Sequence, residues 1–142
     1  MDFDLEWTAE QRAFQAEVRA WLEQHVPEIP DHADPADLTA EEYSHQRKLG
    51  RELGEKGWLY PAMPVEYGGG GLDLGMAMII EEERDRYHLA TPPYYDTGGR
   101  LGSASIMVWG TDEQKEFFLP KILKGAIRTW QLLSEPESGS DL

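Results

Sequence analysis

The chain has 142 residues, 40% hydrophobic, 28% charged and 11% aromatic, the make-up of one ordinary globular domain and not of a disordered tail. Its 13 Lys and Arg stand against 27 Asp and Glu, a formal charge of -14, and so acidic a surface argues against nucleic acid and anionic membranes as partners. The absence of cysteine excludes disulfides, thiolate metal sites, iron–sulfur clusters and a cysteine nucleophile.

The opening Met1-Asp2-Phe3-Asp4-Leu5-Glu6 is acidic where a secretory leader would be basic. The longest aliphatic run, Met76 to Ile80, is far too short to cross a bilayer, so a cytoplasmic chain with no membrane contact is expected. Thr8-Ala9-Glu10-Gln11 then forms a capping box, in which the threonine oxygen accepts a first-turn N–H and the Gln side chain returns to the threonine's own N–H. The same device recurs at Thr39 to Glu42 and at Thr111 to Gln114. Behind the first box the periodicity predicts a helix from about Ala9 to His25, with Phe14, Val18, Trp21 and Leu22 on one face and Pro27 closing it. Pro27 to Pro35 reads as a loop. Asp31, Asp34 and Asp37 lack the alternating ligands and central glycine of a calcium loop.

A second helix from about Ala40 is expected to bury Tyr43, Leu49 and Leu53 and to end near Gly57, a residue suited to a left-handed cap. Trp58-Leu59-Tyr60 leads into Pro61 to Tyr67 and the four glycines Gly68 to Gly71. A third helix, about Leu74 to His88, carries Met76, Ile79, Ile80 and Tyr87 inward and pairs Glu81 with Arg84 and Glu82 with Arg86 on its outer side. After Pro92-Pro93, Gly98 to Val108 reads as a small-residue helix that lets a neighbour approach closely. A fifth helix runs from Asp112 to about Lys124, with Pro120 kinking it or marking its last turns. Ile127 to Leu133 reads as a strand, followed by a polar turn from Ser134 to Asp141. One strand cannot be a sheet, so it either pairs with another molecule or opens a second domain, and the second reading is favoured.

Three constellations invite chemistry. The glycine run lacks the Gly-Lys-Ser/Thr of a phosphate loop and the spacing of a dinucleotide fingerprint, which leaves a permissive loop. Glu42/His45 and Asp85/His88 have the carboxylate–histidine spacing of dinuclear metal bundles, but helical geometry turns Asp85 and His45 away from the apolar faces. Ser103, Ser105 and Ser138 have no nucleophile-elbow context. From composition and spacing alone, the chain holds no self-sufficient catalytic set.

Two stretches add a resemblance. Gly57-Trp58-Leu59-Tyr60-Pro61-Ala62-Met63-Pro64-Val65-Glu66-Tyr67-Gly68-Gly69-Gly70-Gly71-Leu72 is similar to the "Pro-x-Glu-Tyr-Gly-Gly-x-Gly-Leu" segment of the acyl-CoA dehydrogenase family. The second stretch comprises Gly110-Thr111-Asp112-Glu113-Gln114-Lys115, Leu119-Pro120, Gly125 and Ser134-Glu135-Pro136-Glu137-Ser138-Gly139-Ser140-Asp141. It resembles that family's "Gly-Thr-x-Glu-Gln-Lys…Leu-Pro…Gly…Thr-Glu-Pro-x-x-Gly-Ser-Asp" passage. The two motifs stand in the right order, joined by helices of suitable length, so the resemblance covers essentially the whole chain.

The resemblance implies a mostly α fold: an N-terminal α-helical bundle of the acyl-CoA dehydrogenase type over residues 1–125. Residues 126–142 would then be the first strand and loop of an incomplete β-barrel domain that binds FAD. It implies that Gln131, Leu132, Leu133 and Ser134 lie along the flavin ring, with Ser134 and main-chain groups bonding its N5/O4 edge, and that Gly139 and Ser140 lie near the FAD pyrophosphate. Ser140 would also approach the CoA-thioester substrate, while Thr97, Gly98 and Leu101 would line the acyl-chain tunnel or serve helix packing. Glu137, where a small residue is usual, and Gln131, where an aromatic is common, depart from the family pattern.

In the family the base that removes the substrate's α-proton belongs to a C-terminal domain, so no catalytic residue is expected within this chain. The implied reaction is α,β-dehydrogenation of an acyl-CoA thioester, with electrons passing to an electron-transfer flavoprotein. Its setting would be a homo-oligomer of the complete enzyme, or a complex in which a partner chain supplies the remaining domains. The alternatives are a stand-alone, non-catalytic helical assembly module that recruits a partner through its strand, or a related flavin oxidase.

Overall fold

The computed structural model describes residues 7–26, 38–87, 97–130, 132 and 136. Five helices follow in order: α1 Ala9–His25, α2 Ala40–Glu55, α3 Leu74–Arg86, α4 Thr97–Trp109 and α5 Asp112–Leu123, with a single 3-10 turn, Val65–Tyr67, between α2 and α3. All three capping boxes form, at Thr8 with Gln11, Thr39 with Glu42 and Thr111 with Gln114. The hydrogen bond from Thr39 holds the Glu42 carboxylate below its ordinary range. α3 starts with a simpler cap, the Asp73 carboxylate accepting the Met76 N–H at 3.0 Å. Met76 stands where a returning Glu or Gln would complete a box, so this start carries less signal in the sequence.

α2 and α5 stop in the same way. Gly57 and Gly125 take φ 73° and 67°. The Trp58 and Ala126 N–H groups reach back to Leu53 and Lys121 at 2.8 and 2.9 Å, while Gly57 and Gly125 reach Gly54 and Ile122 at 3.0 and 2.9 Å. This is the Schellman pattern, which satisfies the last helical carbonyls. Pro120 lies in the closing turns of α5, and Lys124 still donates to the Pro120 carbonyl at 3.2 Å.

The core joins Val18 and Leu22 of α1, Leu49 and Leu53 of α2, the Trp58-Leu59-Tyr60 link, Ile80 of α3, and Leu119, Ile122 and Leu123 of α5. Phe14, Trp21 and Tyr87 are partly buried against it. Tyr43, expected in the core, is instead 39% exposed, and its hydroxyl accepts from Arg128. It lies on the flank of α2 that meets the chain leaving α5, where a phenol can keep its polar end wet.

The outer face expected for α3 is also corrected. Glu83 and Arg84 are buried, because α3 is covered on two sides. Arg84 donates to the carbonyls of Trp58 and Leu59 at 3.1 Å each. Glu81 reaches across to Arg100 of α4 at 2.8 Å, and Arg86 lies 3.5 Å from Glu83. The strand expected over Ile127 to Leu133 is not formed in its described part: residues 127–130 run as irregular chain, and no strand occurs among the described residues. An extended segment with no second segment to pair with has no ladder to make.

Candidate functional site

The loop from Gly57 to Leu72 is built by its own backbone. The N–H groups of Gly68, Gly69, Gly70 and Gly71 donate to the carbonyls of Val65, Pro64, Tyr60 and Met63 at 2.9, 3.0, 3.2 and 2.8 Å. None of the four is left to point at an anion, so the phosphate-loop idea is ruled out by hydrogen bonding as well as by motif. A Cβ on Gly69 would come within 2.2 Å of the Met63 carbonyl oxygen, and one on Gly70 within 2.6 Å of that of Pro61. The glycines are there for close packing. Buried Arg84, bonded to Trp58 and Leu59, holds the entry to this loop from below.

α4 rests on that loop through its small residues. A Cβ on Gly99 would overlap the Tyr60 hydroxyl, and Ser103 is buried. Its opposite side is open. Leu101 is 55% exposed, and Ala104, Ser105 and Val108 continue the exposed row at helical spacing. Of the residues expected along an acyl chain, Thr97 and Gly98 lie in the first turn of α4 and Leu101 lies on this open row.

Beyond α5 the chain passes beside α4. A Cβ on Gly102 would stand 3.6 Å from the Thr129 hydroxyl, ordinary contact. Trp130 and Leu132, two apart in the sequence, are large apolar side chains 75% and 88% exposed. Gln131, Leu133, Ser134, Gly139 and Ser140, expected at the flavin and the pyrophosphate, lie outside the described residues.

Several ionisable side chains are committed to structure. The Glu83 carboxylate takes Arg19 at 2.7 and 2.9 Å and the Gln15 amide at 2.9 Å. The hydrogen bond from Arg19, outweighing the opposing effect of burial, holds Glu83 below the usual carboxylate range, and the same bond raises Arg19. Burial pushes the phenols of Tyr67 and Tyr87 up. Glu81 and Glu55 are paired with Arg100 and Lys124. The hydroxyls of Ser103 and Ser105 donate to the Arg100 and Leu101 carbonyls of their own helix, which suits neither for nucleophilic attack. No three His, Asp or Glu side chains gather as a metal site among the described residues. No described helix is long and apolar enough to cross a membrane. Sequence reading missed Glu83 and Arg84 as buried charges, because their apolar neighbours come from distant segments of chain.

Comparison with known proteins gives a consistent answer. The family model described as "Acyl-CoA dehydrogenase, N-terminal domain" matches residues 8–126. The chain is 30% identical over 133 residues to mitochondrial isovaleryl-CoA dehydrogenase of Bos taurus, covering 94% of this chain and 30% of that protein. Among solved structures it resembles a chain of the ChsE4-ChsE5 complex from Mycobacterium tuberculosis, with TM-score 0.69, 28% identity, and 98% and 34% of the two chains covered. It also resembles an acyl-CoA dehydrogenase complexed with FAD from Bacillus anthracis, with TM-score 0.60, 26% identity, and 96% and 22% covered. The chain spans 30%, 34% and 22% of the lengths of these three proteins.

Proposed function

Because the chain belongs to the acyl-CoA dehydrogenase family, we propose that it forms the helical N-terminal part of a FAD-dependent enzyme that removes two hydrogens across the α,β bond of an acyl-CoA thioester. Residues 1–125 would be the helical domain and residues 126–142 the opening of the β-barrel domain. FAD, when bound, would supply the acceptor for the two electrons. The similar Bacillus anthracis acyl-CoA dehydrogenase is complexed with FAD, which supports this cofactor. The exposed Trp130 and Leu132 fit it too, since they offer apolar surface that a flat aromatic ring system could cover.

The observation that carries the reading is the meeting of α4 with the segment after α5. The open row of Leu101, Ala104 and Val108 suits an acyl chain, and Thr129 approaches the same helix at Gly102 just before the residues expected at the flavin. Thr97, Gly98 and Leu101 would guide the acyl chain. Leu132, Leu133 and main-chain groups from Gln131 to Ser134 would hold the flavin ring edge, and Gly139 and Ser140 would hold the pyrophosphate and thioester ends. The α-proton would go to a carboxylate outside these residues, in keeping with the commitment of Glu83, Glu81 and Glu55 to cationic partners. An electron-transfer flavoprotein would take the electrons onward. The remaining domains would come from further polypeptide or from a partner chain, a reading supported by the two-component ChsE4-ChsE5 complex of Mycobacterium tuberculosis. The acidic, cysteine-free composition suits a cytoplasmic enzyme.

The test is a visible spectrum of the protein purified from its source together with whatever polypeptide accompanies it, followed by anaerobic addition of acyl-CoA thioesters of graded length. Flavin bands that bleach with one class of thioester are expected. The 142-residue chain alone is expected to hold FAD weakly and to leave acyl-CoA unchanged. A colourless protein that forms a defined complex and ignores both ligands would replace this reading with a non-catalytic assembly module.

A further inference from the structure

One face of α2 is devoted to a single stretch of chain. Tyr43, Arg47, Gly50 and Gly54 recur at helical spacing and so form a stripe along the helix. Every one of them meets residues 124–128. The Arg128 guanidinium donates to the Tyr43 hydroxyl at 2.8 Å, and Arg47 donates to the Gly125 carbonyl at 2.6 Å. A Cβ on Gly125 would stand 3.5 Å from the Gly50 carbonyl oxygen. One on Gly54 would come within 2.6 Å of the Lys124 carbonyl, so helix and turn touch backbone to backbone there. At the end of the stripe Lys124 is held by Glu55 at 3.0 Å.

This grip falls where regular structure gives out. The Schellman turn at Gly125 ends α5, and the Ala126 and Ile127 N–H groups still reach the Lys121 carbonyl at 2.9 and 3.3 Å. Residues 128–130 have no helix or strand to hold them. Their direction depends on side chains. Arg128 is the hinge-pin: beyond its bond to Tyr43, its guanidinium lies 5.2 Å from the Trp130 ring centroid, within cation–π range.

We propose that this stripe of α2 is a positioning track, with Tyr43, Arg47 and Arg128 as positioning residues that fix the direction in which the chain leaves α5 toward the residues expected at the flavin. The glycines supply the clearance that lets the turn seat. The role at the cofactor rests on the flavin reading of residues 131–134 given above; the grip on 124–128 does not.

The experiment uses the complete protein, with and without added FAD, and the variants Tyr43→Phe, Arg128→Met and Arg128→Lys. Tyr43→Phe removes one oxygen from a part-exposed ring and leaves the core intact. Amide exchange at Ala126 and Ile127 is expected to quicken by roughly three- to tenfold in Tyr43→Phe and Arg128→Met, the effect of losing about one hydrogen bond. Exchange in α1 and α3 should stay unchanged, and Arg128→Lys, which keeps a donor, should recover most of the loss. FAD release should quicken in the same order, with a displaced visible band, a signature that loss of helix packing alone would not give. Unchanged exchange at Ala126 and Ile127 overturns the track. Faster exchange with unaltered flavin spectrum and release overturns its positioning role. If the complete protein takes up no FAD at all, the flavin reading fails and the positioning role with it, while the exchange data still decide whether the grip exists.

Discussion

The carboxylate of Glu83 is clasped by the Arg19 guanidinium from 64 residues away, at 2.7 and 2.9 Å, and is itself fully buried. Two-point contact between a planar fork and a carboxylate ties α3 to α1 in one orientation. Its pH dependence has a definite sign. The folded-state pKa of Glu83 lies below the ordinary 4.5, with the Arg19 hydrogen bond as the main cause. The stabilisation is therefore fully present above that ordinary value and is lost as pH falls through the lowered folded value. Denaturant unfolding of the complete protein should show this loss on acidification below the ordinary 4.5. Glu83→Gln should cost about 2 kcal/mol at neutral pH, discounted because Arg19 is 40% exposed, and should flatten the acid limb. An acid limb as steep in Glu83→Gln as in the parent would assign it to other carboxylates.

Glycines that share a type do not share a role, and alanine substitution separates them. Gly69→Ala places a methyl 2.2 Å from the Met63 carbonyl oxygen, where only a backbone shift can relieve it. A loss of about 1–3 kcal/mol or more is expected. Gly102→Ala meets nothing closer than 3.6 Å and sits within α4, where alanine is the better helix former. It should be neutral or stabilise by about 0.5–1 kcal/mol. Thermal melts of the two variants side by side check the pair.

The helices were legible wherever a local rule sets them. Thr8, Thr39 and Thr111 each announce a helix within four residues, and Gly57 marks its cap, because such signals act between near neighbours in sequence. Arg84 was not legible in this way. Helical spacing offered Glu81 as its partner on a solvated face, whereas Trp58 and Leu59, 26 and 25 residues away, receive its hydrogen bonds. Tyr43 misled for a related reason, since its place in the apolar rhythm of α2 says nothing of Arg128, 85 residues on. The Gly68 to Gly71 run reads as a permissive loop in the sequence, but its internal hydrogen bonds belong to three dimensions. The residues expected at the flavin came from resemblance alone, for no periodicity in the sequence marks them.

The capping boxes give a measure of how far local signals carry energy. Thr111→Ala removes the acceptor that meets the Gln114 N–H at 3.3 Å and disturbs the return bond from the Thr111 N–H to the Gln114 side chain at 2.9 Å. Both groups are exposed, so water replaces part of the loss. A cost of about 1 kcal/mol is expected. Thr111→Ser, which keeps the oxygen, should recover most of it in the same unfolding assay.

Leu101 separates stability from substrate contact. It is 55% exposed on the open row of α4, so Leu101→Ala should change folding stability by less than about 0.5 kcal/mol. If an acyl chain runs along that row, the same substitution removes apolar contact to it, and the effect should depend on substrate length. In the complete FAD-loaded protein, Leu101→Ala should raise KM for thioesters long enough to reach the side chain by roughly five- to thirtyfold, at about 1–2 kcal/mol of lost burial. Short thioesters should be turned over as before. Leu101→Trp should invert the pattern by filling the row, excluding long chains while sparing short ones. Equal effects of both substitutions on every chain length would remove Leu101 from the substrate path and leave the open row of α4 as a surface for polypeptide.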